Sequence, residues 1–228
     1  MIHYNLEDKI LLAVDCIIFG FDQESLKILL VKRDFQPERG KWSLMGGFLK
    51  SNETLDESAN RILKQLTGIN NVFMEQLHTY SKIDRDPVER TLSVAYYALI
   101  NIEDHNEELT NQYSAAWFPV AEAPDLIFDH NLMVRHAISR LRSRTATEPI
   151  GFELLPEKFT MRQLQKLYEA ILDQPLDKRN FVNKINSLDI LVRLEEKDRS
   201  SSRKGSFLYR FDEEKYRQNK SNGYSFKI

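Results

Sequence analysis

The stretch from Gly47 to Ile69, GFLKSNETLDESANRILKQLTGI, constrains the fold more than any other part of the chain. Thr54 followed three residues on by Glu57 has the spacing of a capping box, in which a hydroxyl and a carboxylate each satisfy a backbone N–H left open by the first helical turn. Ala59, Ile62, Leu63 and Leu66 then recur at helical spacing, and Gly68 supplies the stop. The stretch predicts one amphipathic helix of about four turns. Gly46 and Gly47, just before it, permit close backbone approach, or serve only a turn.

Ahead of this helix, Ile10 to Phe19 and Leu26 to Lys32 read as two strands joined by a turn over Gly20 to Ser25, and Trp42 to Leu49 as a third. Asp15 interrupts the first apolar run, which places its carboxylate either at a sheet edge or against a polar pocket. Beyond the helix, Val72 to Tyr80, Thr91 to Asn101 and Ala115 to Val120 are strand-like. An acidic loop over Glu103 to Glu108 separates the last two. A second amphipathic helix is expected from Asp129 to Arg144, with Val134, Ala137, Ile138 and Leu141 inward. Between two of the strands, Asp84 to Arg90 carries five charges in seven positions around Pro87. Such a run is a solvated loop, or a rim of donors and acceptors for a polyhydroxy or phosphate ligand. Strands alternating with helices in this order suit an α/β sandwich.

From Thr145 to Pro156 two prolines and a glycine read as a linker, and the grammar then changes. Thr160 caps a helix to about Leu172, the turn Asp173 to Asp177 leads into a second helix from Lys178 to Ser187, and two short strands flank a loop from Glu196 to Gly205. Helix, turn, helix, hairpin is the order of a winged helix-turn-helix. The second helix turns Phe181, Ile185 and Leu188 one way and Arg179, Asn180, Asn183, Asn186 and Ser187 the other. Arginine pairs with guanine O6 and N7 and asparagine with adenine N6 and N7, so this polar face suits a major groove. Lys178 and Lys184 add charge beside it. The hairpin loop contributes Arg199, Arg203 and Lys204, and no acid occurs from Arg199 to Arg210, as a wing lying along phosphates requires. A packing or dimerisation module with ordinary charges is the alternative.

Charge follows the same division. Residues 1–150 hold 16 Lys and Arg against 22 Asp and Glu, whereas residues 151–228 hold 16 against 12, giving −6 and +4 within the net −2. A basic second piece points to a polyanion partner. The single cysteine, Cys16, excludes an internal disulfide and suits a reducing compartment, and no apolar run approaches 18 residues, so a cytoplasmic protein without membrane segments is expected. The five histidines, His3, His78, His105, His130 and His136, show no paired metal spacing and read as structural or surface residues. There is no P-loop, no G-x-S-x-G and no C-x-x-C.

Gly47, Glu53, Arg61 and Gly68-Ile69 stand in the frame of the Nudix box, and the stretch resembles that loop-helix signature over 23 residues. In Nudix hydrolases carboxylates on the helix hold divalent metal against a diphosphate. The matching positions here are Ile62, Gln65 and Leu66, so only Glu53 remains of that set. Magnesium requires oxygen ligands, which isoleucine and leucine do not offer. Glu57 lies about 140° from Ile62 and about 180° from Leu66 around the helix, so it does not substitute. Glu53 and Asp56 also suit the positive end of the helix dipole. The resemblance thus implies a Nudix-like α/β/α sandwich (residues 1–148) without metal, cofactor or catalysis, followed by a winged helix-turn-helix domain (residues 149–228).

Over nearly its full length the chain resembles the Nudix-related transcriptional regulators. DCIIFGF (15–21), WSLMGGF (42–48), IDRDP (83–87), AYYALI (95–100), IFDH (127–130), PIGFELLP (149–156), LYEAI (167–171) and DKRNF (177–181) are similar to the branch of the Bacteroides regulator of arabinose utilisation. That resemblance implies a homodimer on a palindromic duplex operator. A small-molecule effector, L-arabinose first and ADP-ribose as the alternative, would shift the two recognition helices away from one helical turn of spacing and release DNA. Repression is the expected sign. Asp15, Arg33, Trp42, Gly46, Gly47, Asp84, Arg85, Asp86 and Arg90 are the effector-binding candidates, with Trp42 placed to stack on a sugar. A residual diphosphate hydrolase using Glu53, Glu57 and Gln65, and an inactive Nudix domain that binds RNA, are the other readings.

Overall fold

The computed structural model describes residues 8–69, 72–104, 114–200 and 203–221; His3, His105 and most of the expected acidic loop lie outside them. They gather into two compact units. The first takes in the chain up to Ile18, then Ile28–Ala98 and on to Ala137; the second takes in Phe19–Lys27, Leu99–Asp104 and Ile138 onward.

Seven strands form the larger sheet. β1 (Leu11–Phe21), β2 (Leu26–Lys32), β3 (Trp42–Ser43), β5 (Glu75–Tyr80) and β6 (Thr91–Asn101) run in the order β3-β2-β1-β6-β5, while β4 (Met45–Phe48) pairs with β1 and β7 (Ala115–Pro119) with β2. β1 is therefore interior, and eight consecutive residues from Val14 are buried. Such a strand reads as a continuous apolar run because both its faces are covered.

Helix α1 (Leu55–Thr67) forms as its spacing predicts. The Glu57 N–H donates to Thr54 Oγ1 at 3.2 Å, the Thr54 N–H donates to Glu57 Oε2 at 2.7 Å, and Gly68 ends the helix at φ 77°. Ala59, Ile62 and Leu63 are buried. Helix α2 (His130–Thr147) begins one residue after the expected start and runs three residues beyond the expected end.

In the second unit, α3 (Met161–Leu172) and α4 (Lys178–Ser187) precede the hairpin β9 (Leu191–Asp198) and β10 (Ser206–Phe211). β8 (Phe159–Thr160) extends that hairpin to three strands, and α5 (Glu213–Ser221) follows it; the sequence pattern pointed to neither. Residues 145–156 are not a free linker. Thr145, Leu154 and Leu155 are buried, and the Phe152 ring stacks on Phe211 at 4.1 Å, because the apolar side chains between the prolines belong to a core. No helix among the described residues is long and apolar enough to cross a membrane.

Thr54→Ala removes one half of the capping box while leaving the buried face intact. It is expected to cost about 1 kcal/mol, read as a lower urea midpoint at unchanged slope.

Candidate functional site

Opposite the end of the box helix, the first unit contains a cavity of about 340 Å³, at the small end of the range for ligand pockets, roughly 300 to 1,000 Å³. Asp15, Arg33, Gly46, Gly47, Arg85 and Asp86 all line it. Trp42, Asp84 and Arg90 are not among its lining residues. The Trp42 ring meets Phe118 edge-on at 4.8 Å, Asp84 pairs with Lys82 at the surface, and Arg90 Nη1 donates to the Lys82 carbonyl at 3.0 Å. An aromatic residue has the same sequence appearance whether it meets a ligand or another ring.

Asp15 faces the cavity rather than a sheet edge. It is 4% exposed on interior strand β1, directly across from Gly46 on β4. A Cβ at Gly46 would stand 2.3 Å from Asp15 Oδ1, so any other residue there would displace the carboxylate. Ser93 Oγ donates to Asp15 Oδ2 at 2.5 Å, and Arg85 Nη2 lies 3.8 Å from the same oxygen. Arg85 itself forks onto Asp129, Nε to Oδ2 at 3.0 Å and Nη2 to Oδ1 at 2.8 Å. Bidentate arginine–carboxylate pairing fixes both orientation and charge.

His130 also reaches the cavity, though its sequence context gave no sign of a role. Its Nδ1 accepts the Leu44 N–H at 3.2 Å. The Ser43 hydroxyl, 3.4 Å from Nδ1, donates instead to the Leu44 carbonyl at 2.8 Å. Burial holds the imidazole below its ordinary pKa, so the ring is neutral at pH 7 with its proton on Nε2. Phe35 and Phe48, 57% and 52% exposed, stand at the rim with Lys32 and Arg33. The Arg33 guanidinium packs 3.7 Å from the Phe35 ring centroid. Exposed aromatics on a cavity rim are stacking surfaces, which the alternation of strand residues does not announce.

The box helix does not supply a metal site. Arg61 forks onto Glu53, Nε to Oε2 at 2.7 Å and Nη2 to Oε1 at 2.5 Å, and holds the Glu53 carboxyl down at a pKa of about 2. Glu57 is committed to the capping box, Asp56 accepts the Tyr96 hydroxyl at 2.7 Å, and Gln65 accepts from Arg61. Ile62 fills the space in front of Gly47, its Cγ1 within 3.1 Å of where a Cβ would be. Among the described residues no group of three or more His, Cys, Asp or Glu could hold a metal ion. The residues present do not fit the divalent cation of a Nudix hydrolase.

In the second unit α4 turns Phe181 and Ile185 inward, and Phe181 meets Tyr168 of α3 at 5.5 Å. Lys178, Arg179, Asn180, Asn183 and Asn186 are exposed and Lys184 is half-buried, which leaves one polar face open along the helix. Arg199, Arg203 and Lys204 are exposed in the hairpin loop, where Gly205 takes φ 70°. Arg193 and Lys197, outside the expected DNA-binding set, pack on the Phe207 ring at 3.6 and 4.3 Å. Their alternate positions on β9 were the available signal.

Residues 9–138 match the NUDIX domain family and residues 151–211 match the NrtR DNA-binding winged helix domain. The ADPR responsive transcriptional repressor NtrR of Acinetobacter baylyi is 33% identical over 207 residues, covering 88% of this chain and 82% of that protein. The chain belongs to the NrtR-type Nudix transcriptional regulators. The crystal structure of Shewanella oneidensis NrtR complexed with a 27mer DNA superposes with a TM-score of 0.82 at 28% identity, over 94% of this chain and 97% of that one. The NUDIX domain of the same protein, complexed with ADP ribose, aligns at 29% identity and a TM-score of 0.54 over 61% of this chain and 94% of that one. This regulator family is thus a Nudix α/β domain followed by a winged helix, and the arabinose branch finds no support in these relatives.

Glu53 carries a stability signature. Its folded pKa, about 2, lies below its ordinary value of 4.5, so the Arg61 pair contributes fully above about pH 4.5 and is lost as pH falls toward 2. The Tm of wild type is expected to fall more across that window than the Tm of Glu53→Gln, which has no carboxyl there to titrate.

Proposed function

We propose that this regulator is a repressor that releases operator DNA when ADP-ribose occupies the cavity of its Nudix domain. The observation that carries the reading is the zoning of that cavity. Exposed Phe35 and Phe48 at the rim offer faces for a base, Lys32 and Arg33 beside them offer charge for a diphosphate, and Asp15 and Asp86 offer acceptors for hydroxyls. ADP-ribose presents those three chemistries in that order. The Acinetobacter relative is named for its response to this ligand, and the Shewanella Nudix domain was crystallised with it.

With Ile62, Gln65 and Leu66 at the metal-binding positions the cleft acts as a receptor, because binding the ligand does not lead to its cleavage. Effector binding then acts as a two-state bias. A ligand with higher affinity for the DNA-free form lowers operator affinity by its ratio of affinities for the two states, and DNA lowers effector affinity by the same factor. A homodimer would place two α4 helices in successive major grooves of a palindrome.

A second reading, L-arabinose as effector, is favoured by the two carboxylates and by the modest volume. Asp15 and Asp86 suit a neutral sugar and oppose a diphosphate, and about 340 Å³ holds a pentose whole.

Fluorescence anisotropy of the purified protein on duplex DNA from upstream of its own gene, at one fixed salt concentration, separates these readings. Release by ADP-ribose alone supports the first, release by L-arabinose alone supports the second, and no specific duplex binding sinks both. On the same duplex Arg179→Ala is expected to weaken specific binding by roughly 1–3 kcal/mol and relax specificity at one base pair. Incubating ADP-ribose with the protein and magnesium should release no phosphate or nucleotide.

A further inference from the structure

We propose that Asp15 and His130 act as a matched acceptor and donor that read a single hydroxyl group of the effector. The inference rests on the effector reading above and adds the chemistry by which the inner end of the cavity selects its ligand.

His130 Nε2 and Asp15 Oδ1 lie 3.6 Å apart, and both residues line the cavity. That separation exceeds a hydrogen bond between the two, yet one oxygen atom at about 2.7 to 2.9 Å from each satisfies both. The tautomer is settled by the backbone, since Nδ1 accepts the Leu44 N–H and the proton must sit on Nε2. The acceptor is settled by elimination. The Ser93 proton goes to Asp15 Oδ2, the Ser43 proton to the Leu44 carbonyl and the Thr91 proton to the Glu89 carbonyl, while Arg85 Nε and Nη2 are engaged by Asp129. Among the described residues nothing donates to Asp15 Oδ1, although the Asp15 side chain is only 6% exposed.

Among the groups a ligand could present, a hydroxyl fits between them, in the place a water molecule would take without ligand. An alcohol accepts from Nε2–H and donates to Oδ1 at once. A phosphate or carboxylate oxygen has no proton for Asp15 and is repelled by it, a carbonyl or ether oxygen has none either, and an ammonium cannot accept from the histidine. The inner end therefore takes a neutral ring hydroxyl, and any anionic portion of the ligand lies toward Lys32 and Arg33. The terminal ribose of ADP-ribose and a free pentose both carry this chemistry. Gly46 keeps the pair open, because the methyl group of an alanine there would meet Oδ1 and turn the carboxylate.

The test is calorimetric titration of the full chain with ADP-ribose and with L-arabinose, then with singly deoxygenated forms of whichever binds. His130→Asn retains an acceptor for the Leu44 N–H but has nothing at the Nε2 position, whereas His130→Gln carries an amide N–H close to it. Asp15→Asn and His130→Asn are expected to bind roughly 10- to 100-fold more weakly, the loss from leaving one buried partner unmade, with His130→Gln recovering most of it. One deoxy form should bind wild type as weakly as the parent binds His130→Asn, and should lose nothing further on that variant. Circular dichroism and Tm must show the variants folded; if His130→Asn does not fold, Gly46→Ala and the deoxy series on wild type carry the same decision. Undiminished binding by the folded variants, or equal penalties for every deoxy form, overturns the inference alone. Failure of wild type to bind either ligand overturns the effector reading and this inference with it.

Discussion

Arg85 stands between two acids in the interior of the first unit. It is 6% exposed, forks onto Asp129 and faces Asp15 at 3.8 Å. Taking three charges out of water costs several kcal/mol per ion unless geometry and hydrogen bonds repay it, and here the repayment ties distant segments together. Asp15 comes from the sheet interior, Arg85 from the charged loop after β5, and Asp129 from the turn whose carbonyl accepts the first N–H groups of α2. Strand, loop and helix start are thus fixed to one another by electrostatics, at the wall of the cavity. The neutral state of His130 belongs to the same arrangement. A second positive charge there would compete with Arg85 for Asp15, and burial prevents it.

Local chemistry was legible in the sequence and distant chemistry was not. Helix α1 followed from Thr54, Glu57 and Gly68 because capping and periodicity are decided within a few residues. The polar face of α4 was legible for the same reason. β8, two residues long, exists only because β10 offers it an edge, and residues 145–156 looked like a linker because prolines dominate their pattern while Leu154 and Leu155 find a core that no short window contains. At the cavity, Asp15, Arg33, Gly46, Gly47, Arg85 and Asp86 drew notice as charges or glycines in unusual settings. His130 did not, since a histidine at a helix start has no spacing that betrays a hydroxyl-reading role. Gly46 stood open between close approach and a turn, and what it accommodates, a carboxylate across a β-ladder, is a matter of register.

Resemblance in short segments put a sugar ahead of a nucleotide, whereas the Acinetobacter relative, matched over most of the chain, is named for ADPR. The cavity itself divides along that line, with acceptors inside and cations and aromatic faces outside, so the two candidates differ in how much of one surface they use. Discrimination then resides in the rim, while the hydroxyl-reading end is common to both.

Ile62 pressed against Gly47 has a consequence of a different sort. An enzyme in this position would consume its own signal, and its response would depend on how quickly the ligand was replenished. Under the proposed reading, an isoleucine where a metal ligand would stand and a Glu53 tied to Arg61 leave the ligand intact. Its occupancy then tracks the standing concentration of the effector, and the lifetime of the message is set by other proteins. Reversing this takes more than one substitution, since a glutamate at position 62 would place a charge in a packed interior and still find Glu53 engaged. Under that reading the packing of Ile62 and the Glu53–Arg61 pair together hold the regulator to listening.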